Sequence, residues 1–215
     1  MAMMKTSRTF GLFLAVLLCS VLTYAQDTET ETKTKQQSLY FMVAGSVGNF
    51  SPNSGKQFTD VYSNRTVSKN IALAIGARSM ALIGKYREFS ATGRSVVTNI
   101  DIEGKAEWKQ KLYMAGVRFR GDDMPFYLDL LFVSTRADET ITTVSPVISE
   151  LTAMNTKESR GFGGAVGLTV KLAGMLGIFA EAEFSKMSVL EINLFERPSP
   201  ELGGLNLNAG IQLSF

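Results

Sequence analysis

Seven ionisable side chains stand inside otherwise apolar stretches, and their types and spacing make them the first candidates for chemistry. Lys85 and Arg87 are two residues apart, as are Glu181 and Glu183 in "GIFAEAEF"; Arg118, Lys171 and Asp129 (in "FYLDLLFV") stand singly. Carboxylates and cations set among apolar residues can neutralise one another as a buried network, or line a polar path for ions. General acid–base catalysis by a carboxylate is a third possibility.

Composition narrows that choice. The chain has no histidine and a single cysteine, Cys19, so a nucleophilic triad lacks its usual base and a common zinc site its usual ligands. The adjacent carboxylates Asp122 and Asp123 sit in "GDDMP", where turn formation explains them. In "GFGGAVG" the spacing of Gly161, Gly163 and Gly167 is not a dinucleotide fingerprint, and no helical period follows. Those three glycines make room for large side chains of neighbouring strands. No enzymatic activity, cofactor or metal is expected.

The elements that must position the seven charges are strands. In "LYFMVAGSVGNF", Leu39, Phe41, Val43, Gly45 and Val47 alternate with Tyr40, Met42, Ala44, Ser46 and Gly48; "KNIALAIGA" and "GFGGAVGLTVKL" repeat the pattern. A period of two is the strand signature. Eight segments show it, at about 38–50, 68–78, 80–90, 108–120, 126–136, 160–172, 177–187 and 205–215. Their connections alternate between short (near Ser79, 121–125, 173–177) and long (51–67, 91–107, 137–159, 188–204). Such alternation fits an up-and-down antiparallel meander crossing a bilayer, with tight turns on one side and loops on the other. Residues 71–83 also permit an apolar helix, against which Arg78 and the two-residue period argue.

Residues 1–25 read as a secretory signal peptide. Lys5 and Arg8 precede the apolar run "GLFLAVLLCSVL", and "TYA" supplies a small-residue exit before Gln26. The run is shorter than the roughly 20 residues of a spanning helix. Removing 25 of the 215 residues takes two of the 22 basic residues and none of the 20 acidic ones, leaving a balanced chain without cysteine. No nucleic-acid partner or disulfide is therefore expected. Residues 26–37 are polar and read as a disordered lead-in, so residues 38–215 form one domain.

One face of the strands is rich in Leu, Ile, Val and Phe; the other is small and polar. In a barrel of eight strands the interior is just wide enough to be filled by side chains, which suits the small polar face, while the apolar face suits lipid. Closure also satisfies every backbone hydrogen bond, as the hydrocarbon layer demands. Phe41, Tyr86, Tyr113, Phe119, Phe126, Phe162, Phe184 and Phe215 fall near strand ends on the apolar face, as interfacial girdles do. A soluble lipocalin-like barrel, with its apolar face inward, is the competing architecture.

The last strand, "LNLNAGIQLSF", carries Leu207, Ala209, Ile211, Leu213 and Phe215 on one face and stops on the aromatic residue. It resembles the C-terminal signal of bacterial outer-membrane β-barrels, and with eight strands the chain is similar to the OmpA barrel domain and OmpX-like proteins. That resemblance spans about residues 38–215. It implies an all-β, eight-stranded antiparallel transmembrane barrel in a Gram-negative outer membrane, with short periplasmic turns and four extracellular loops. It also implies contact with outer-membrane lipid and lipopolysaccharide, recognition of the terminal strand by the assembly machinery, and a monomer. The palmitoyltransferase and deacylase barrels that act on lipid A use histidine, which this chain lacks.

Strand parity places Lys85, Arg87, Arg118, Asp129, Lys171, Glu181 and Glu183 in the lumen; an Arg or Lys facing the lipid midplane would cost about 2–4 kcal/mol. The network reads as a structural plug, or else as a gate over a small conductive path. Four cations against three carboxylates set no ion selectivity. Function then falls to the loops, as a surface-interaction role. The fourth loop holds Val189, Leu190, Ile192, Leu194 and Phe195, which either bind a partner or pack across the barrel mouth.

Overall fold

The computed structural model describes residues 39–53, 58, 61–62, 64–65, 67–77, 79–97, 102–121, 124–143, 151–190 and 202–215. The expected signal peptide and lead-in, Asp122–Asp123 and most of the fourth loop lie outside the described residues. The described residues form nine strands: β1 (Tyr40–Pro52), β2 (Asn64–Arg65), β3 (Ser68–Gly76), β4 (Met80–Val97), β5 (Ile102–Arg120), β6 (Phe126–Thr143), β7 (Leu151–Ala173), β8 (Leu176–Leu190) and β9 (Gly204–Ser214). Eight of them close into an antiparallel barrel in the order β1-β3-β4-β5-β6-β7-β8-β9, with β9 returning to β1; the two-residue β2 only adds to the edge of β4.

Closure is made by the chain's last residues. β9 pairs with β1 from Met42↔Ser214 to Pro52↔Gly204. Beyond the ladder, the Phe215 N–H donates to Phe41 O at 2.8 Å and the Phe41 N–H to Phe215 O at 3.2 Å. The two rings lie outside, 6.0 Å apart. At the short-turn end, Gly174 takes the left-handed conformation (φ 53°) that a residue with a Cβ rarely adopts.

The helix reading of 71–83 is wrong: Ile71–Gly76 and Met80–Ile83 belong to two paired strands. The second and third loops are shorter than their sequence suggests. β4 and β5 stay paired as far as Val97↔Ile102, and β6 and β7 as far as Thr143↔Leu151. Since β5 and β6 also remain paired to Gly104↔Thr143, β4 to β7 continue as one four-stranded sheet on the long-loop side, well past the ends of β1, β3, β8 and β9.

The two faces separate cleanly. Ile71, Leu73, Leu128, Leu130, Val166, Val170, Ile178, Leu207 and Ile211 are exposed on the outside, with Phe126, Phe162, Phe184 and Phe215. A soluble monomer rarely exposes so continuous an apolar surface; facing hydrocarbon, it is the stable arrangement. The lipocalin-like alternative, with this face inward, is excluded.

Candidate functional site

Alternation along each strand brings six of the seven predicted charges into one buried layer of the lumen. β4 supplies Lys85 and Arg87, β5 Arg118, β6 Asp129, and β8 Glu181 and Glu183. Lys85 crosses the lumen from β4: its Nζ is 2.8 Å from both Glu181 oxygens, 2.8 Å from Asp129 Oδ2 and 3.4 Å from Glu183 Oε2. Arg118 and Asp129 are cross-strand partners and form a fork, with Nε donating to Oδ1 at 2.7 Å and Nη2 to Oδ2 at 2.9 Å. Arg87 donates through Nη2 to Glu183 and through Nε to Asn70 Oδ1 at 2.8 Å.

Lys171 does not join this layer. It shares the lumen parity but lies near the short-turn end of β7, where the ladder shifts register between Lys171 and Ala173, and it is exposed. The network is thus three cations against three carboxylates. Such balance is what a low-dielectric interior requires, because a charge left unpaired there is strongly destabilising.

Sequence reasoning missed several participants. Tyr127 donates to Glu181 Oε2 at 2.8 Å and stacks beneath the Arg118 guanidinium, 3.7 Å from its ring centroid. It reaches Glu181 because Gly167 lies between them in the register, Tyr127↔Gly167↔Glu181. A Cβ on Gly167 would land on the Tyr127 ring. Lumen parity of Tyr127 and the glycine were both legible; their pairing required the register. Asn208 Nδ2 adds a bond to Glu181 Oε1 at 3.3 Å.

A second layer, aromatic rather than charged, closes the lumen on the long-loop side. Phe50 and Phe89 meet edge to face at 5.3 Å, and Arg87 sits 5.5 Å from the Phe50 ring, joining the layers. Phe58 and Tyr62, from the first long connection, pack at 5.5 and 5.7 Å on Trp108, which is only 1% exposed. Trp108, at the start of the strand expected from 108, therefore stands in the barrel interior, in β5. The Tyr62 hydroxyl donates to Glu139 Oε1 at 2.5 Å, and Lys157 stands 5.6 Å over Trp108. Gln110 Nε2 donates to Leu202 O at 2.8 Å, tying the end of the fourth connection across the mouth. Of the apolar residues predicted to cluster in that connection, Val189 and Leu190 fall in β8 and the others lie outside the described residues.

Little free volume remains. A cavity of about 20 Å³ lies beside Asn70, Lys85, Glu181, Glu183 and Asn208, room for about one water. Asn70 Nδ2 and Asn208 Oδ1, both without a protein partner, belong to residues lining it. In this state the lumen is a plug.

The predicted assembly residues Leu207, Ala209, Ile211, Leu213 and Phe215 lie on the outer face of β9, exposed.

No protein-family model matches the chain, and no curated protein does either. Solved structures do. Ail, the attachment invasion locus protein of Yersinia pestis, solved in complex with the heparin analogue sucrose octasulfate, is 15% identical with a TM-score of 0.50, over 81% of this chain and 97% of that one. A major outer membrane protein from Thermus thermophilus is 12% identical with a TM-score of 0.50, over 83% of this chain and all of the other (100%). At such identities the likeness is one of fold. Closed topology, apolar exterior and these neighbours agree on the fold: the chain is a closed eight-stranded antiparallel β-barrel with a lipid-facing exterior, the fold of these outer-membrane proteins.

Proposed function

We propose that this barrel is non-enzymatic and works by what it displays outside the membrane, as a structural and surface-interaction protein. The observation that carries this reading is the contrast between a filled lumen and the four-stranded sheet of β4–β7 that continues past the barrel on the long-loop side. A strand pair longer than the bilayer needs is surplus to spanning, for which roughly 9–11 residues suffice; β7 alone has 23. The chain works as a monomer in contact with lipopolysaccharide, and the outward face of β9, ending on Phe215, is what the assembly machinery reads.

The test compares two variants in cells. One replaces residues 139–155 by a tight turn; the other carries Lys85→Met with Glu181→Met. Attachment of the cells to surfaces should fall with the first and persist with the second, both barrels keeping heat-modifiable gel mobility. Attachment that survives trimming contradicts the reading.

A second reading, a small gated channel, is favoured by the cavity among the buried charges. It requires the Lys85–Glu181 and Arg118–Asp129 pairs to part, and single-channel current distinguishes it from the first.

A further inference from the structure

The exterior of the barrel is basic along one stretch of one rim. On β6, β7 and β8, the outward residues beyond the aromatic girdle are Arg136 (past Phe132 and Ser134), Arg160 (past Phe162) and Lys186 (past Phe184), all exposed. Lys111 follows Tyr113 in the same way on β5. The register makes them successive neighbours. Lys111 stands opposite Arg136; Arg136 is opposite Glu158, two residues from Arg160; and Arg160 is opposite Ser188, two residues from Lys186. Direct partners have Cβ atoms roughly 5 Å apart and diagonal ones roughly 7–8 Å, so one or two tetrahedral anions span the row.

Carboxylates are near but do not silence it. Arg136 Nε reaches Asp138 at 3.4 Å. Glu88 is the direct cross-strand partner of Lys111, and Glu158 that of Arg136, yet neither closes to an ion pair with them, and Arg160 and Lys186 have no carboxylate partner among the described residues. At the opposite rim, the described outward positions are apolar: Leu39, Phe119, Phe126, Leu172 and Phe215. A cation at the headgroup level attracts anionic lipid, and guanidinium is the geometric match for phosphate.

We propose that Arg136, Arg160 and Lys186, with Lys111 at the edge, seat the phosphates of an outer-leaflet lipid, the acyl chains lying along Phe132, Phe162 and Phe184. This rests on the outer-membrane reading and on lipopolysaccharide contact, and it assigns the contact to one side of the barrel, β5–β8. β1 and β9 carry no equivalent, their outward residues at that level including Val47, Asn49 and Leu205, and the outward Lys69 of β3 stands apart from the row, opposite Glu88 and Val47.

The experiment uses the full chain refolded into phosphatidylcholine nanodiscs containing diphosphoryl lipid A or lipid A stripped of phosphate. Fluorescent diphosphoryl lipid A reports occupancy by energy transfer from the protein. Wild type should prefer the phosphorylated lipid. The triple variant Arg136→Gln, Arg160→Gln, Lys186→Gln should lose about fivefold in apparent affinity per cation, or roughly a hundredfold together. Lys105→Gln, farther out and already bonded to Glu107 at 2.8 Å, should behave as wild type. Inorganic phosphate should not compete.

Equal binding by the triple variant, or of the stripped lipid, overturns the seat while leaving the barrel reading intact. Competition by inorganic phosphate makes it a free-anion site and overturns the lipid assignment. A chain that inserts into neither nanodisc, judged by heat-modifiable mobility, overturns the barrel reading as well.

Discussion

The two layers that fill this barrel obey different physics. In the charged layer, six ionisable groups from four strands satisfy one another, so each depends on the presence of its partners. In the aromatic layer, Phe50, Phe58, Tyr62, Phe89 and Trp108 exclude water by area and shape, each ring burying on the order of 150–250 Å². The first should be intolerant of a lost charge at constant volume. The second should tolerate a change of ring that keeps most of its area.

The largest expected effect follows from that asymmetry. Asp129→Asn keeps the shape but leaves Arg118 and Lys85 under-compensated, and should lower the folding free energy by about 3–5 kcal/mol in urea titrations of the bilayer-refolded chain. Trp108→Phe keeps an aromatic ring in the mouth and should cost about 1–2 kcal/mol. Equal losses would erase the distinction between the layers.

Next in size is Gly167→Ala. The methyl group meets the Tyr127 ring, so the tyrosine must swing off Glu181, with a loss of about 1–3 kcal/mol. Combined with Tyr127→Ala, the two losses should be less than additive in a double-mutant cycle, since both remove one arrangement. Strict additivity would mean that the glycine acts independently of the tyrosine.

Lys171→Gln should be the smallest change, within about 0.5 kcal/mol, because this lysine stands outside the network. A loss as large as that of Asp129→Asn would return Lys171 to the charged layer.

The charged layer was the more legible of the two. A period of two assigns every residue of a strand to a face, so Asp129 between Leu128 and Leu130, and Glu181 between Ala180 and Ala182, had to face inward. Parity fixes the side of the wall but not the height along it, which is why Lys171 was grouped with charges that it does not reach. The closing strand was legible for the same reason as the charges. The aromatic layer depends on chain returning from outside the membrane: Phe58, Tyr62 and Leu202 belong to long connections with no period to read. Phe50 and Phe89 did have lumen parity, yet their role as a floor for those returning segments appears only in three dimensions. Trp108 opens the strand expected at 108–120, but that strand begins earlier, at Ile102, because polar Glu103, Lys105 and Glu107 look like loop while Ala106 and Trp108 turn inward.

The proposal that function lies outside the barrel stands on the lumen being closed. The most direct measurement is single-channel recording of the refolded chain in a planar bilayer, with the same recording on Glu181→Gln combined with Glu183→Gln. The wild-type barrel, heat-modifiable and inserted, should pass no discrete current at either polarity. Regular unitary steps from wild type, altered in size when those glutamates are neutralised, would contradict the plug and make the lumen the working part of the protein.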